Sequence, residues 1–526
     1  MNLDNPHLDN PHLDNPHLDN RPRAYAELES RFHRWTALKD GHAVLQWDQA
    51  TMMPDGGSEA RAEQMAALDV VCHGILADPA TGDLLAGRRF GAGELDPWQK
   101  ANLAEMRRLQ VHATAVEPRL VEALARAVGR AEALWRKARA ESDFPMVKPA
   151  LAELLGLVRE VAAAKAVKLG RLPYEALIDE YEPGLTIPEI DRVFDGLADF
   201  LPGLRAEALA RQAKRPAPIQ PQGPFPLPQQ QALARKLMEI VGFVFDHGRL
   251  DTSHHPFCGG VPEDVRITTR YSEGEFVQGL MGVLHETGHA LYERGRPAAW
   301  RYQPVGLARG MAIHESQSLL VEMQVCRGPE FLGFLAPLLK EAFGGRATAA
   351  SGEFSPENLR RLYARVEPDF IRVEADEVCY PSHVILRYRL EKALVAGTLD
   401  LADLPAAWNE GMKDLLGLDV PDDRRGCLQD IHWFVGAWGY FPTYTLGAMT
   451  AAQLYDAAKR ARPEIPAAIG RGDFKPLLAW LAEHIHSQAS RWSSTELLKH
   501  ATGKALDPAI FRSHLERRYL AKGEPA

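Results

Sequence analysis

Along most of the chain, apolar residues recur at steps of three and four. Leu120, Leu124, Val128, Ala131 and Trp135 fall on one face of a single helix, the mark of an amphipathic stripe turned towards a core. The two-residue alternation of a half-buried strand is scarce; its best case is VRITTRY, residues 265–271, where β-branched and polar residues take turns. The prolines of KRPAPIQPQGPFPLPQQQ, residues 214–231, lack the amide hydrogen that a helix needs, so this stretch predicts a loop. The pattern predicts a mainly α protein: one large helical body of two lobes, parted near residues 214–231, with a hairpin or small sheet around Val265. At the amino terminus the unit LDNPH occurs three times and breaks off after Asn20. A polar, Pro-bearing repeat this short predicts a disordered tail over residues 1–20 and a single domain over 21–526; His7, His12 and His17 lack a scaffold that would make them a metal site.

With 526 residues, there is ample chain for a large core. A net charge of -9 removes the basic face that nucleic acid or an anionic membrane would select, so neither is expected as a partner. Cys72, Cys258, Cys326, Cys379 and Cys427 are scattered singly, which predicts reduced thiols. No apolar run reaches the roughly 18 residues of a membrane span, and the start lacks the basic and apolar regions of a signal peptide. A cytoplasmic enzyme is the expectation.

Chemistry concentrates after residue 280. In MGVLHETGHALYERG, His285 and His289 are four apart, so on a helix their side chains stand one above the other, roughly 5–6 Å between Cβ atoms, and can share one ion. Glu286 is turned by about 100° from His285 and falls beside that ion, where a general base for an activated water belongs. A catalytic metal needs a third protein donor. Glu315 in AIHESQSLLVE, thirty residues on from His285, offers one from a second helix expected to lie parallel to the first. His314 is the rival ligand, or else a partner for the Glu286 or Glu315 carboxylate.

Two further stretches are dense in functional side chains. FIRVEADEVCYPSH holds Arg372, Glu374, Asp376, Glu377 and His383, which read either as a solvated helix face of ion pairs or as the setting of a substrate-binding arginine. GCLQDIHWFVGAWGYFPTYTLG holds Gln429, Asp430, His432, Trp433, Tyr440 and Tyr444, either core aromatics or donors to a developing oxyanion. His484 and His486 in HIHSQ point to different helix faces and read as structural.

LQWDQATMMPDGG, YEALIDEYEPGLT, SHHPF, DVRITTR, HETGH, HESQS, IRVEAD and GCLQDIHW follow one another in an order that resembles the carboxypeptidase Taq family of metallocarboxypeptidases, over roughly residues 24–520. The resemblance implies His285, His289 and Glu315 as ligands of one divalent ion per chain, zinc or else cobalt, with Glu286 as base. It implies Arg372 as the grip on a free carboxylate, His432 as a donor to the reacting carbonyl, and Asp264, Arg266 and Thr268 as a wall of the cleft. A tyrosine, Tyr440 or Tyr444, is expected to assist. The implied fold is nearly all helix, with a long groove and a small sheet beside the metal, commonly a homodimer. Cys258 stands where the family pattern suggests Thr. The activity implied is release of carboxy-terminal amino acids from peptides; an oligoendopeptidase or dipeptidase on the same core is the rival, and Glu286 argues against a catalytically idle binding protein.

Overall fold

The computed structural model describes residues 22–87, 95–253, 256–346 and 350–520. The LDNPH repeat with His7, His12 and His17, and His254 and His255 of SHHPF, lie outside them. The chain starts with α1 (Arg23–Thr51), α2 (Ser58–Ala77), α3 (Pro79–Ala86) and α4 (Pro97–Thr114), which close on Tyr25, Phe32, Trp35 and Leu103. Asp96 starts α4 by accepting from the Gln99 amide while the Gln99 side chain accepts from the Asp96 amide, so two amides that would otherwise be unpaired find acceptors. Next come α5 (Pro118–Glu141), α6 (Phe144–Leu169), α7 (Pro173–Tyr181) and α8 (Ile187–Gln212), the beginnings of a first large core. The stripe predicted on α5 is there: Ala131 and Trp135 are buried, and the Trp135 indole donates to the Leu428 carbonyl at 2.8 Å.

The Pro-rich stretch leads from this core to a second one. Its helix-free part is shorter than predicted, because α9 (Leu227–Val241) begins inside it: Pro228 sits in the first turn, where a missing amide hydrogen costs nothing. A three-stranded sheet follows, β1 (Gly248–Thr252), β2 (Phe257–Val261) and β3 (Asp264–Thr269), in the order β1-β3-β2, with β1 parallel and β2 antiparallel to β3. β3 is the strand predicted from VRITTRY. Its alternation splits the residues cleanly, since Val265 and Ile267 cluster with Val283 and Ala290 of α10 (Val277–Gly295).

After α10 come α11 (Met311–Leu319), which runs on as a π-helical stretch over Leu320–Cys326, then α12 (Pro329–Phe343) and α13 (Pro356–Tyr363). The chain returns to the first core with α14 (Tyr380–Ala396) and α15 (Leu404–Leu416) and crosses to the second with α16 (Pro442–Ala461). It completes the second with α17 (Ile465–Ile469), α18 (Lys475–His484) and α19 (Ser494–Thr502), and ends on the first with α20 (Pro508–Leu520). The fold is mainly α, as the periodicity predicted. α11 and α16 lie at the seam: Ala312, Leu446 and Met449 belong to the first core, Ile313, Ala451 and Leu454 to the second. Among the described residues no helix is long and apolar enough to cross a membrane.

Candidate metal centre and substrate cleft

His285 and His289 project from α10, and Glu315 from α11. One donor atom from each lies within 4.8 Å of the others, with Glu315 Oε2 3.4 Å from His289 Nε2 and 3.8 Å from His285 Nε2. The two helices do not run parallel. Glu293 meets His314, His289 meets Glu315, and His285 meets Glu322, so one chain index falls as the other rises. The antiparallel course corrects the parallel one expected, and it puts a second carboxylate of the α11 segment against His285. Close approach has a cause in the sequence: a Cβ on Gly288 would come within 2.5 Å of the Gln317 carbonyl, and one on Gly447 of α16 within 2.9 Å of the Glu315 side chain. Glycine at both places lets α11 be gripped from either side. Its start is fixed by Glu182, whose buried carboxylate accepts from the Ala312 amide at 2.8 Å.

Glu322 was not singled out from sequence, although it follows Glu315 by seven residues, two helical turns, on the same face. Its Oε2 is 2.9 Å from His285 Nδ1. A carboxylate only accepts here, so Nδ1 keeps a proton and Nε2, on the Glu315 side, is the nitrogen that a metal ion can take once it displaces any proton there. Arg327 pairs with the other oxygen of Glu322. His314 is not in the donor set, and it bonds neither Glu286 nor Glu315. Its Nε2 lies 2.8 Å from Glu293, which Arg296 also pairs at 2.9 Å, and its ring lies against that of His289, centroids 4.5 Å apart.

Four carboxylates thus surround the histidines. Arg327 and Arg296 match Glu322 and Glu293, whereas among the described residues no Arg or Lys pairs with Glu286 or Glu315. Without a metal these two carboxyls have only the imidazoles to balance them, and a dication between two imidazoles and a carboxylate does so more fully; the donor set fits a divalent ion. Burial pushes the Glu286 carboxyl up to about 7, Glu315 adding to the rise and His285 opposing it. Burial lowers His285, but Glu315, Glu322 and Glu286 outweigh it and lift the ring to about 10, whereas burial and His314 bring His289 down to about 4.

A second cluster carries Arg372. Its segment is a short 3₁₀ turn (Arg372–Glu374) and not an ion-paired helix face; Arg372 is only 5% exposed. Asp430 Oδ1 accepts from Arg372 Nε at 3.0 Å and Nη2 at 2.7 Å, and Oδ2 accepts from Arg387 Nε at 2.6 Å. The remaining Nη1 donates to the Tyr380 hydroxyl at 3.0 Å, and the guanidinium lies 5.0 Å from the Tyr444 ring centroid. Gln429 ties the two segments by accepting from the Arg372 amide at 2.9 Å. His432 Nε2 is 3.2 Å from the Tyr444 hydroxyl, and the rings of Tyr440 and Tyr444 are 5.1 Å apart. Burial carries His432 down to about 4, so it is neutral near pH 7. Tyr380, Tyr440 and Tyr444 stand within electrostatic range of both Glu315 and Arg372. α16 links the two clusters: its Tyr444 ring lies 5.0 Å from the Arg372 guanidinium, and its Gly447, about one turn on, packs against the Glu315 side chain.

Behind this wall Glu391 of α14 is fully buried and accepts from the Tyr174 hydroxyl at 2.6 Å, the Trp433 indole at 2.8 Å and the Gly439 amide at 3.1 Å. It holds the neighbours of His432 and Tyr440 in the chain, and sequence alone gave it no mark beyond an acid in an apolar helix. The residues of the DVRITTR motif sit elsewhere. Asp264 and Arg266 pair at 2.6 Å on the sheet face turned away from α10, with the guanidinium 4.3 Å from the Trp47 ring of α1. Thr268 is buried and its hydroxyl accepts from the Phe257 amide at 3.1 Å. Cys258, paired with Ile267, is on the α10 side, where burial and the charge of Glu286 push its thiol well up. His486 is buried with Nε2 3.1 Å from Gln317 Oε1, while His484 lies 3.9 Å from Glu483.

Two helical imidazoles, a carboxylate from a neighbouring helix and an unpaired glutamate beside them define a metal-dependent peptide hydrolase. Residues 27–519 match the family described as carboxypeptidase Taq (M32) metallopeptidase. The chain is 38% identical over 515 residues to thermostable carboxypeptidase 1 of Thermus thermophilus, covering 95% of this chain and 99% of that one. It is 33% identical over 480 residues to carboxypeptidase 1 of Bacillus subtilis, covering 91% and 94%. Metallocarboxypeptidase 1 of Trypanosoma cruzi superposes with a TM-score of 0.91 at 43% identity, over 94% of this chain and 99% of that one. The chain belongs to the carboxypeptidase Taq family and is a metal-dependent carboxypeptidase.

Proposed function

We propose that His285, His289 and Glu315 hold one zinc ion and that Arg372 receives the free carboxylate of a peptide whose last amide bond then lies over the metal. The observation that carries this reading is the placing of α16, which sets Tyr444 against Arg372 and, about one turn on, Gly447 against Glu315. When bound, the divalent ion supplies Lewis-acid activation of water and of the scissile carbonyl. Glu286 takes the proton of the attacking water and passes it to the leaving amine, a task suited to a carboxyl whose affinity for protons is raised by burial. Neutral His432, with the Tyr444 hydroxyl beside it, donates to the carbonyl oxygen, and Tyr440 closes that side. Arg372 already spends two nitrogens on Asp430, but Nη1 faces only a neutral hydroxyl that a carboxylate can replace with a stronger bond. Asp264, Arg266 and Thr268, on the far face of the sheet, support the cleft only indirectly, by tying the strands that back α10 to α1 and to one another.

Two imidazoles and a carboxylate suit zinc, with cobalt the next choice. We infer one domain over residues 21–526, joined across the seam by α11 and α16, and a cytoplasmic homodimer: the unbridged cysteines support the compartment, the family likeness the dimer. Matched peptides with free and amidated carboxy termini test the clamp on the metal-loaded enzyme. Amidation lowers kcat/KM about a hundredfold or more if Arg372 makes charged hydrogen bonds to the terminus. Equal cleavage of both peptides overturns the reading in favour of an oligoendopeptidase. Glu286→Gln keeps its metal and loses about 10²–10⁴-fold in kcat.

A further inference from the structure

A cavity of about 440 Å³ opens between α4, the turn after α6 and residues 490–493. It shares no lining residue with the metal triad or with Arg372. Five guanidiniums line it, those of Arg107, Arg108, Arg171, Arg309 and Arg491, against two carboxylates, Glu105 and Asp179. Both carboxylates are already divided. Glu105 accepts from Arg309 at 2.8 Å and from Arg108 at 2.9 Å; Asp179 faces Arg171 at 3.3 Å and His112 at 3.0 Å.

The other two arginines are left over. Arg107 donates from Nε to the Leu85 carbonyl at 3.2 Å, and Arg491 lies 5.1 and 4.9 Å from the ring centroids of Trp98 and Trp492. Among the described residues neither is within ion-pair distance of a carboxylate. Arg309 is 4% exposed, and its Nε is buried with no partner, as is Nε of Arg491. Three positive charges remain unmatched among the lining side chains, with Arg107 itself exposed, so that even with the buried Glu182 carboxylate near Arg309 and Arg108 the cavity presents a positive field to solvent. A multivalent oxyanion neutralises it, because planar guanidiniums give paired donors that match phosphate-like oxygens.

We propose that this cavity is a binding site for a dianionic oxyanion, either an inorganic ion or the phosphate of a small phosphomonoester. Arg309 ends the loop before α11, and its amide donates to the Tyr292 hydroxyl of α10 at 2.9 Å. An anion held there braces the joint between the two helices that carry the triad.

Calorimetric titration of the metal-loaded protein with sodium sulfate and with glycerol 3-phosphate, at ionic strength held by sodium chloride, tests the site. One saturable site per chain is expected, with the tighter of the two probes telling the free ion from the ester. The double variant Arg107→Gln/Arg491→Gln removes only arginines without an ion pair and weakens binding about a hundredfold, from two charged hydrogen bonds. Arg126→Gln/Arg130→Gln on the exposed face of α5 makes the same change in net charge and leaves binding as it was. Absence of saturable heat, unchanged binding in the cavity variant, or equal loss in the α5 variant overturns the proposal.

Discussion

Glu322 keeps a proton on Nδ1 of His285, so that on the proposed ligand set it acts on the metal through the ring alone. Its carboxylate accepts from Nδ1 at 2.9 Å and is itself anchored by Arg327. Partners of this kind set ring orientation and basicity, and removing one typically costs about 10–100-fold in metal affinity. Glu322→Gln should therefore release its divalent ion to a competing chelator about 10–100-fold more readily. Once saturated with zinc it keeps a larger share of its kcat than Glu286→Gln does, since Glu322 handles no substrate proton. An unchanged chelator competition would deny it this part. The approach of His285 to His289, with Glu286 turned to one side, was legible in sequence because one helix turn fixes their spacing. His314 was ambiguous there, since neighbouring residues of a helix point about 100° apart and only the packing of α10 against α11 decides which of His314 and Glu315 faces the ion.

The contact between α10 and α11 rests on the absence of a side chain. A methyl at Gly288 would meet backbone at 2.5 Å and 2.7 Å, atoms that move only if a helix moves. Gly288→Ala should cost about 1–3 kcal/mol by overpacking, read as a lower midpoint of thermal unfolding, and should weaken zinc retention in the same variant. Gly282 is the control on the same helix. A methyl there meets only the Thr269 hydroxyl at 3.9 Å, and Gly282→Ala should be neutral or stabilise by up to about 1 kcal/mol from helix propensity. If both variants unfold alike, helix spacing is not what Gly288 protects. The glycine of HETGH is visible in sequence, but its role is not, for the spacing of His285 and Glu315 is the same whether the second helix runs parallel or antiparallel. Arg372 shows the same limit: its side-chain partners Tyr380 and Asp430 lie on two different segments, and only the fold brings the second across 58 residues of chain. Periodicity gave helices and one strand because those are local; the seam at α11 and α16 is a matter of which helices pack.

Across the whole molecule a buried charge, beside direct bonds from His514 and Arg518 to Gln324, joins α20 to the segment that follows α11. Glu377, part of the acidic run beside Arg372, turns away from the cleft and meets Arg518 and His514 of α20, each at 2.8 Å, with Tyr519 donating at 3.1 Å. Gln324 of the π-helical stretch bonds Glu377 Oε1 at 3.3 Å, so α20 is joined through this carboxylate to the segment that carries Glu322. Burial by itself would raise the Glu377 carboxyl, but Arg518 and His514 outweigh it and hold it far below its ordinary value of 4.5. A depressed carboxyl stabilises the fold in full above its unfolded value, and that contribution is lost as pH falls through the range below about 4.5. His514, lowered by burial, adds to the loss as pH falls below 6.5, because its protonation is harder in the folded chain. Removing one partner of a buried pair leaves the other charge unpaired, at about 3–5 kcal/mol. Glu377→Gln should therefore unfold at a clearly lower denaturant midpoint than the wild type at pH 7, and the gap should shrink as pH is brought from 5 to 3, where the wild type loses the same interaction. A gap that stays constant over that range would mean that packing around α20, and not the ionised carboxylate, joins the two segments.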